Sequence, residues 1–504
     1  MADHQQTYQL LCDQAKQATM VESIRALLEW DERTKMPIAG SAYRADQAAY
    51  LAGLEHKMQT DPSIGTWLEQ LADTPLTEDP YSDSGTIIRL LKRDYEKKVK
   101  LPQSLVEELT RTAVQGQQVW AEAREANDFA LFQPLLEKTV DLKRQEAAAL
   151  GYDTTPYDAL LDQYEPGETA DNVARVLSGL RDALVPLVGA IAESSAQPDV
   201  SVLARDYPVD AQEKLGTQAA SEIGFDFDAG RLDVTDHPFC CTIGPRDIRL
   251  TTRYNQNSFN DGFFSILHEA GHGIYEQGLP ADQFGTPLCA YTSMAIHESQ
   301  SRMWENQVGR SRPFWKHFYS QAQAEFPGAI SDVEPETFFA AINEVRPSLI
   351  RVEADEVTYN LHILIRFELE KALVEDDLQV ADLPAAWNEK YQHYLGITPP
   401  SAADGVLQDV HWSAGLFGYF PTYALGNLYA AQFFDQAQSD LGDLDTAFQK
   451  GEFNPLREWL RVKIHQHGRR YTPAELADRI TGQPLSHQPL MNHLTKKYGE
   501  LYGL

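Results

Sequence analysis

Apolar positions recur every three to four residues through most of the chain. In 20–37, MVESIRALLEWDERTKMP, Val21, Ile24, Leu27 and Leu28 fall on one stripe, and Pro37 ends the run. Similar stripes near 103–126, 134–150, 172–194, 361–375 and 426–440 each predict an amphipathic helix. The stretch 196–210 is richer in Pro, Ser and Asp and reads as a surface connection. No internal repeat or low-complexity tract divides the chain, so 1–504 is read as one unit.

One segment breaks the helical period. In 237–254, HPFCCTIGPRDIRLTTRY, two short β-prone runs flank Gly244-Pro245. Ile248, Leu250 and Thr252 alternate with Arg249, Thr251 and Arg253, the pattern of a strand, so a hairpin is predicted. A further short strand is predicted at 288–293, LCAYTS. The expected fold class is therefore mainly α, with a small antiparallel sheet.

Composition narrows the partners. The chain of 504 residues carries a formal net charge of −31. Such a surface repels phosphate backbones and anionic lipid heads, so neither nucleic acid nor membrane is an expected partner. The four cysteines, Cys12, Cys240, Cys241 and Cys289, show no C-x-x-C spacing. No basic leader followed by an apolar run opens the sequence. A reducing, cytoplasmic location is expected.

The predicted hairpin leads into FFSILHEAGHGIYEQG, which contains H-E-A-G-H at 268–272. Residues i and i+4 of a helix share a face, so His268 and His272 can aim both imidazoles at one point. Glu269 is displaced by about 100° and can reach a water there without being a ligand. That is the chemistry of H-E-x-x-H: two metal ligands and a general base. Phe263, Phe264, Ile266, Leu267, Ile274 and Tyr275 surround the motif, so the helix is expected to be buried. Three buried ionisable groups need something to satisfy them, and a metal would. A catalytic site needs a third protein ligand. Glu298, in AIHESQSRMWEN, is the best candidate; its alternative is a solvated helix glutamate.

A series of motifs then appears in order: His237-Pro238-Phe239, Asp247-x-Arg249-x-Thr251, H-E-x-x-H at 268–272, H-E-S-Q at 297–300, Ile350-Arg351-x-x-Ala354-Asp355, and Gly405-x-x-Gln408-Asp409-x-His411-Trp412. The segments WDERTKMP and WLRVKIHQHGRRYTPAEL accompany them. Across essentially its whole length the chain resembles the M32 metallocarboxypeptidases, the carboxypeptidase Taq type. The resemblance implies a large helical fold with two lobes around a deep groove and a small sheet beside the metal. It also implies a homodimer and removal of single residues from the free C-terminus of peptides. By motif match, His268, His272 and Glu298 would hold one divalent metal, and Glu269 would be the base. Two imidazoles and a carboxylate suit zinc, the first choice, or cobalt.

Related helical metallopeptidases place a histidine and a tyrosine against the tetrahedral intermediate. His411 and Tyr423 are assigned that role, with Tyr419 as a further candidate; the alternative for the tyrosines is aromatic packing. A free C-terminus is best read by a guanidinium fork. Arg351 is the first choice and Arg249 the second, the alternative for each being an internal salt bridge. His237 is a candidate for the pocket lining, and Asp409 for orienting a ligand imidazole. The rival function is a related helical oligopeptidase, which would cut internally and need no carboxylate pocket.

Overall fold

The computed structural model describes residues 2–504. The helices used below are α1 (Ala2–Thr34), α2 (Ser41–Gln59), α3 (Gln103–Ala126), α4 (Phe129–Leu150) and α5 (Ala170–Glu193). Three strands follow: β1 (Gly230–Val234), β2 (Cys240–Gly244) and β3 (Asp247–Thr252). Next come α6 (Phe259–Gly278), α7 (Met294–Arg302), α8 (Tyr359–Val374) and α9 (Pro421–Leu441).

All six predicted helical stripes are helices, and local chemistry sets their ends. α1 stops at Thr34, before Pro37, whose extended backbone and missing N–H cannot continue it. α3 ends at Asn127, which adopts a left-handed φ of 53°. α4 starts earlier than its stripe suggests because Asp128 caps it, its carboxylate accepting from Ala130 N at 3.0 Å. Pro134 thus sits within the early turns of α4 and not at its first position. The 196–210 stretch is more than a surface connection. Tyr207 is fully buried, and its hydroxyl donates to Val202 O at 2.7 Å.

The predicted hairpin is β2–β3, antiparallel, with Cys240 opposite Leu250 and Arg246 at φ 78° in the turn. The expected purely antiparallel sheet is corrected by β1, which pairs parallel to β3 and gives the order β1-β3-β2. β1 has no apolar alternation to betray it. Its buried residue is Asp233, neutralised by Arg231 at 2.5 Å and Lys35 at 3.3 Å. The predicted strand at 288–293 does not form. Its start is a tight 3₁₀ turn, Pro287–Cys289. Its end is pinned by side chains: Thr292 N donates to the Tyr275 hydroxyl at 3.0 Å, and Thr292 Oγ1 to Gly468 O at 2.8 Å.

α6 lies between the sheet and α7. Gly271 and Gly273, on either side of His272, cost a helix about 1 kcal/mol each relative to alanine, and packing explains both. A Cβ on Gly271 would stand 2.6 Å from Ser301 Cα and 2.7 Å from Gln300 O, so the α7 backbone rests directly on α6. A Cβ on Gly273 would meet Phe225 at 2.5 Å and Leu250 of β3 at 2.9 Å. α9 then closes on the other side of α7.

Candidate active site

Ser258 caps α6, accepting from Asp261 N at 3.4 Å, and Ser293 caps α7, accepting from Ile296 N at 3.1 Å. The two helices bring three donors together. His268, His272 and Glu298 offer ligand atoms that all lie within 4.8 Å of one another. Glu298 Oε2 is 3.8 Å from His268 Nε2 and 3.6 Å from His272 Nε2. Tetrahedral bonds of about 2 Å put ligand atoms roughly 3.3 Å apart, so little movement is needed.

Proton placement supports a cation here. His272 Nδ1 lies 3.1 Å from His297 O, and a carbonyl can only accept. Nδ1 therefore carries the proton, and Nε2 presents a lone pair. Burial, aided by His297 and His268, drives His272 well below the usual imidazole range, so the ring stays neutral. A lone pair and a carboxylate oxygen then face each other across 3.6 Å. A bound cation turns that repulsion into coordination, and the residues fit a divalent metal.

Residues outside the motif hold these candidate ligands. His268 Nδ1 donates to Glu305 Oε2 at 2.9 Å. Glu305 lies on a π-helical turn, Met303–Gly309, that directly extends α7. Arg302 donates to Glu298 Oε1 at 2.7 Å and to Glu305 Oε2 at 3.2 Å, with its guanidinium 4.4 Å from the Tyr359 ring centre. One oxygen of Glu298 is thus tied, and the other faces the histidines. Burial pulls His268 down, but Glu298 and Glu305 outweigh it and raise its pKa. His297 stacks on the His272 ring at 4.4 Å and donates from Nε2 to Glu276 Oε1 at 2.9 Å. Glu276 in turn accepts from Thr242 Oγ1 of β2 at 2.9 Å. Sequence reasoning passed over Glu305, Arg302 and Glu276. The acid–base pair four residues apart, Glu298 and Arg302, was the available signal.

Glu269 is 7% exposed, and burial pushes its carboxyl up to about 7. β2 runs beside it: burial first, then the Glu269 carboxylate, raises the Cys240 thiol well above its usual range.

The loop before α9 supplies the opposite wall. His411 Nε2 is 3.3 Å from the Tyr423 hydroxyl. Tyr419 packs edge-on to Tyr423, ring centres 5.4 Å apart. Tyr423 sits in the first turn of α9, and that helix approaches Glu298 so closely that a Cβ on Gly426 would lie 2.6 Å from Glu298 Cβ. Burial, then Arg351, holds His411 down to about 3, so it is a neutral hydrogen-bonding group. Burial pushes the Tyr419 hydroxyl up to about 12 and raises the Tyr423 hydroxyl well above its usual range.

Asp409 does not orient a metal-site imidazole. It receives Arg351 Nε at 2.9 Å and Arg366 Nε at 2.6 Å, and stands 3.8 Å from His411 Nδ1. Arg351 is 5% exposed, with its remaining Nη1 donating to the Tyr359 hydroxyl at 3.1 Å. Arg249 forms a two-pronged pair with Asp247, both contacts 2.9 Å, and stacks on Trp30 at 4.3 Å. Both arginines proposed for substrate are thus in internal ion pairs. His237 is exposed.

A helical fold with two histidines and a glutamate converging from neighbouring helices, and a buried glutamate beside them, is the architecture of a helical metallopeptidase. Comparison with known proteins narrows this. The family model for carboxypeptidase Taq (M32) metallopeptidase matches residues 11–498. The chain is 47% identical to thermostable carboxypeptidase 1 of Thermus thermophilus, over 98% of this chain and 99% of that one. It is 41% identical to carboxypeptidase 1 of Bacillus subtilis, over 95% of each. A crystal structure of an M32 carboxypeptidase from Deinococcus radiodurans superposes with a TM-score of 0.96 at 40% identity, covering 99% of this chain and all of that one. The chain belongs to the M32 family of metallocarboxypeptidases.

Proposed function

We propose that this enzyme releases single residues from the free C-terminus of peptides, with Glu269 as general base. The observation that carries the reading is the 3.6 Å approach of His272 Nε2 to Glu298 Oε2, with Glu269 one residue from His268 on the same helix. A divalent metal bound by His268, His272 and Glu298 would supply Lewis-acid polarisation of the scissile carbonyl and acidify water. Zinc is the first choice and cobalt the second, on ligand chemistry.

The chain's own residues do the rest. Glu269, poised by burial, takes the proton of the attacking water and passes it to the leaving amine. The Tyr423 hydroxyl and His411 Nε2, 3.3 Å apart, form a neutral pair of donors for the developing oxyanion. Tyr419 packs on both rings and keeps them in place. Arg302 and Glu305 fix the ligand orientations. The homodimer belongs to this reading too: α2 buries no side chain fully, and Ile38, Tyr43 and Tyr50 stand exposed on it and just before it. The four cysteines are unpaired, which suits a cytoplasmic setting.

One peptide, as free acid and as C-terminal amide, tests the reading by mass spectrometry with and without chelator. A ladder of single-residue losses from the acid alone, abolished by chelator and restored by zinc or cobalt, is expected. Internal cleavage of both forms would move the enzyme to the oligopeptidase reading. Light scattering at several concentrations tests the dimer.

A further inference from the structure

A cavity of about 270 Å³ lies between the β2–β3 hairpin, the last turns of α6 and a further helix, α10 (Asn454–Lys463). Neither the three candidate ligands nor Glu269, His411 and Tyr423 line it. It reaches the support of the site from behind. Glu276 lines it, and Glu276 holds His297, whose ring stacks on His272 at 4.4 Å. His465 lines it too, and its Nε2 is 3.0 Å from Gln300 Oε1. Gln300 is the α7 residue whose carbonyl would stand 2.7 Å from a Cβ on Gly271.

The inner end of the cavity is negative. The Glu276 side chain is 10% exposed, and an imidazole and a hydroxyl meet its two oxygens. Among the described residues no lysine or arginine pairs with it. A buried carboxylate without a cation is costly. Gln300 Nε2 donates to Ser299 Oγ at 3.0 Å, so Gln300 Oε1 accepts from His465 Nε2. Burial holds the His465 ring down to about 3, so Nδ1 offers only a lone pair. His465 is 1% exposed, and Nδ1 has no partner among the described residues. It stands at the end of α6, where a Cβ on Gly278 would lie 2.2 Å from it. The carbonyls of a helix C-terminus add to the negative potential. The outer end is positive. The Arg461 side chain is 39% exposed and gives Nε to Glu458 at 2.8 Å, while neither Nη makes a hydrogen bond among the described residues. Ile274, Leu279 and Phe284 supply apolar wall.

We propose that this cavity binds a free α-amino acid with an apolar side chain, its ammonium on Glu276 and its carboxylate on the Nη atoms of Arg461. A zwitterion matches a cavity with opposite poles, and the volume, just below the range for drug-sized ligands, suits a smaller molecule. The same class of molecule is the product under the exopeptidase reading above, on which this part of the inference rests. An ammonium on Glu276 competes with His297 for the carboxylate and so loosens the support of His272.

The test titrates the metal-loaded enzyme with L-leucine, leucinamide and N-acetyl-leucine in a calorimeter. Arg461→Ala removes the outer cation, and Ala281→Trp fills the rim; both positions reach the surface, so both variants should fold, which thermal unfolding checks. The parent should bind one more leucine per chain than either variant, since any product position at the active site is common to all three. At the cavity, leucinamide and N-acetyl-leucine should each bind about 10- to 100-fold more weakly than leucine, having lost one charged group. Saturating leucine should lower zinc affinity, read by competition against a chromophoric chelator, by more in the parent than in either variant. Equal leucine stoichiometry in parent and variants overturns the site. Equal effects of leucine on zinc affinity in all three overturn the link to His272. Failure of the exopeptidase reading shows separately, as a free-acid peptide that yields no single-residue ladder.

Discussion

Glu276 Oε1 accepts from His297 Nε2 at 2.9 Å, and that pair fixes the backbone carbonyl to which His272 donates. The other Glu276 oxygen is bonded to Thr242, so the support of the candidate ligand His272 reaches the edge strand of the sheet. Groups that orient ligand histidines are worth about 10- to 100-fold in metal affinity. Glu276→Gln should weaken zinc binding by that order while the fold persists. Competition against a chromophoric chelator measures it, and an unchanged dissociation constant would remove Glu276 from the support.

Glu269 touches no ligand role in this arrangement. Glu269→Gln should keep the metal with near-parent affinity and lower kcat by about 10²- to 10⁴-fold. Metal content by atomic absorption and single-turnover rates separate the two effects. Loss of the metal along with the activity would make Glu269 a ligand rather than a base.

Tyr423→Phe removes one donor from the wall facing the metal site and keeps the ring that packs on Tyr419. A donor aimed at an oxyanion is worth about 10²- to 10³-fold in kcat. KM should change little. An effect confined to KM would make Tyr423 a binding residue.

Gly271→Ala should destabilise the protein by about 1–3 kcal/mol, although alanine is the better helix former, because the added methyl meets the backbone of α7. Urea unfolding measures the change. A variant more stable than the parent would mean that α7 can retreat.

Glu370 supports His411 indirectly and titrates. It accepts from the Trp412 indole at 3.0 Å, the Tyr157 hydroxyl at 3.0 Å and the Gly418 backbone N–H, bracketing the loop of His411. Burial pushes it up to about 7 from its ordinary 4.5, against those donors. Between these values the unfolded chain has lost the proton and the folded one keeps it. Stability contributed by this group is therefore greatest below pH 4.5, falls up to about pH 7, and levels off above. Glu370→Gln should flatten that part of the stability profile, read as unfolding midpoints at pH 5 and pH 7.5. Parallel profiles for parent and variant would show that Glu370 does not titrate there.

Much of this architecture was legible from period and motif. The six helical stripes were readable because each has an apolar face long enough to repeat. His268 and His272 were readable because four residues make one helical turn. β1 was hidden because its buried residue is the charged Asp233, balanced by Lys35 just past the end of α1, some two hundred positions away. The false strand at 288–293 had the right residue types, but tertiary bonds from Tyr275 and Gly468 hold its backbone elsewhere. The partners of Arg351 and Glu298 show the same division. Arg302 is local to Glu298 and could have been inferred. Asp409 lies 58 residues from Arg351, and only the fold brings them to 2.9 Å.

The bare contact of Gly271 with the backbone of Ser301 sets the spacing of the candidate metal site in a particular way. The histidines and Glu298 stand on two rods that touch main chain to main chain, with no compressible side chain between them. That contact acts as a fixed gauge. An ion of different radius has to be met by side-chain rotation alone, within limits drawn by Glu305, Arg302 and His297. Exchange of one divalent ion for another should thus show itself in turnover long before it shows in the separation of the helices.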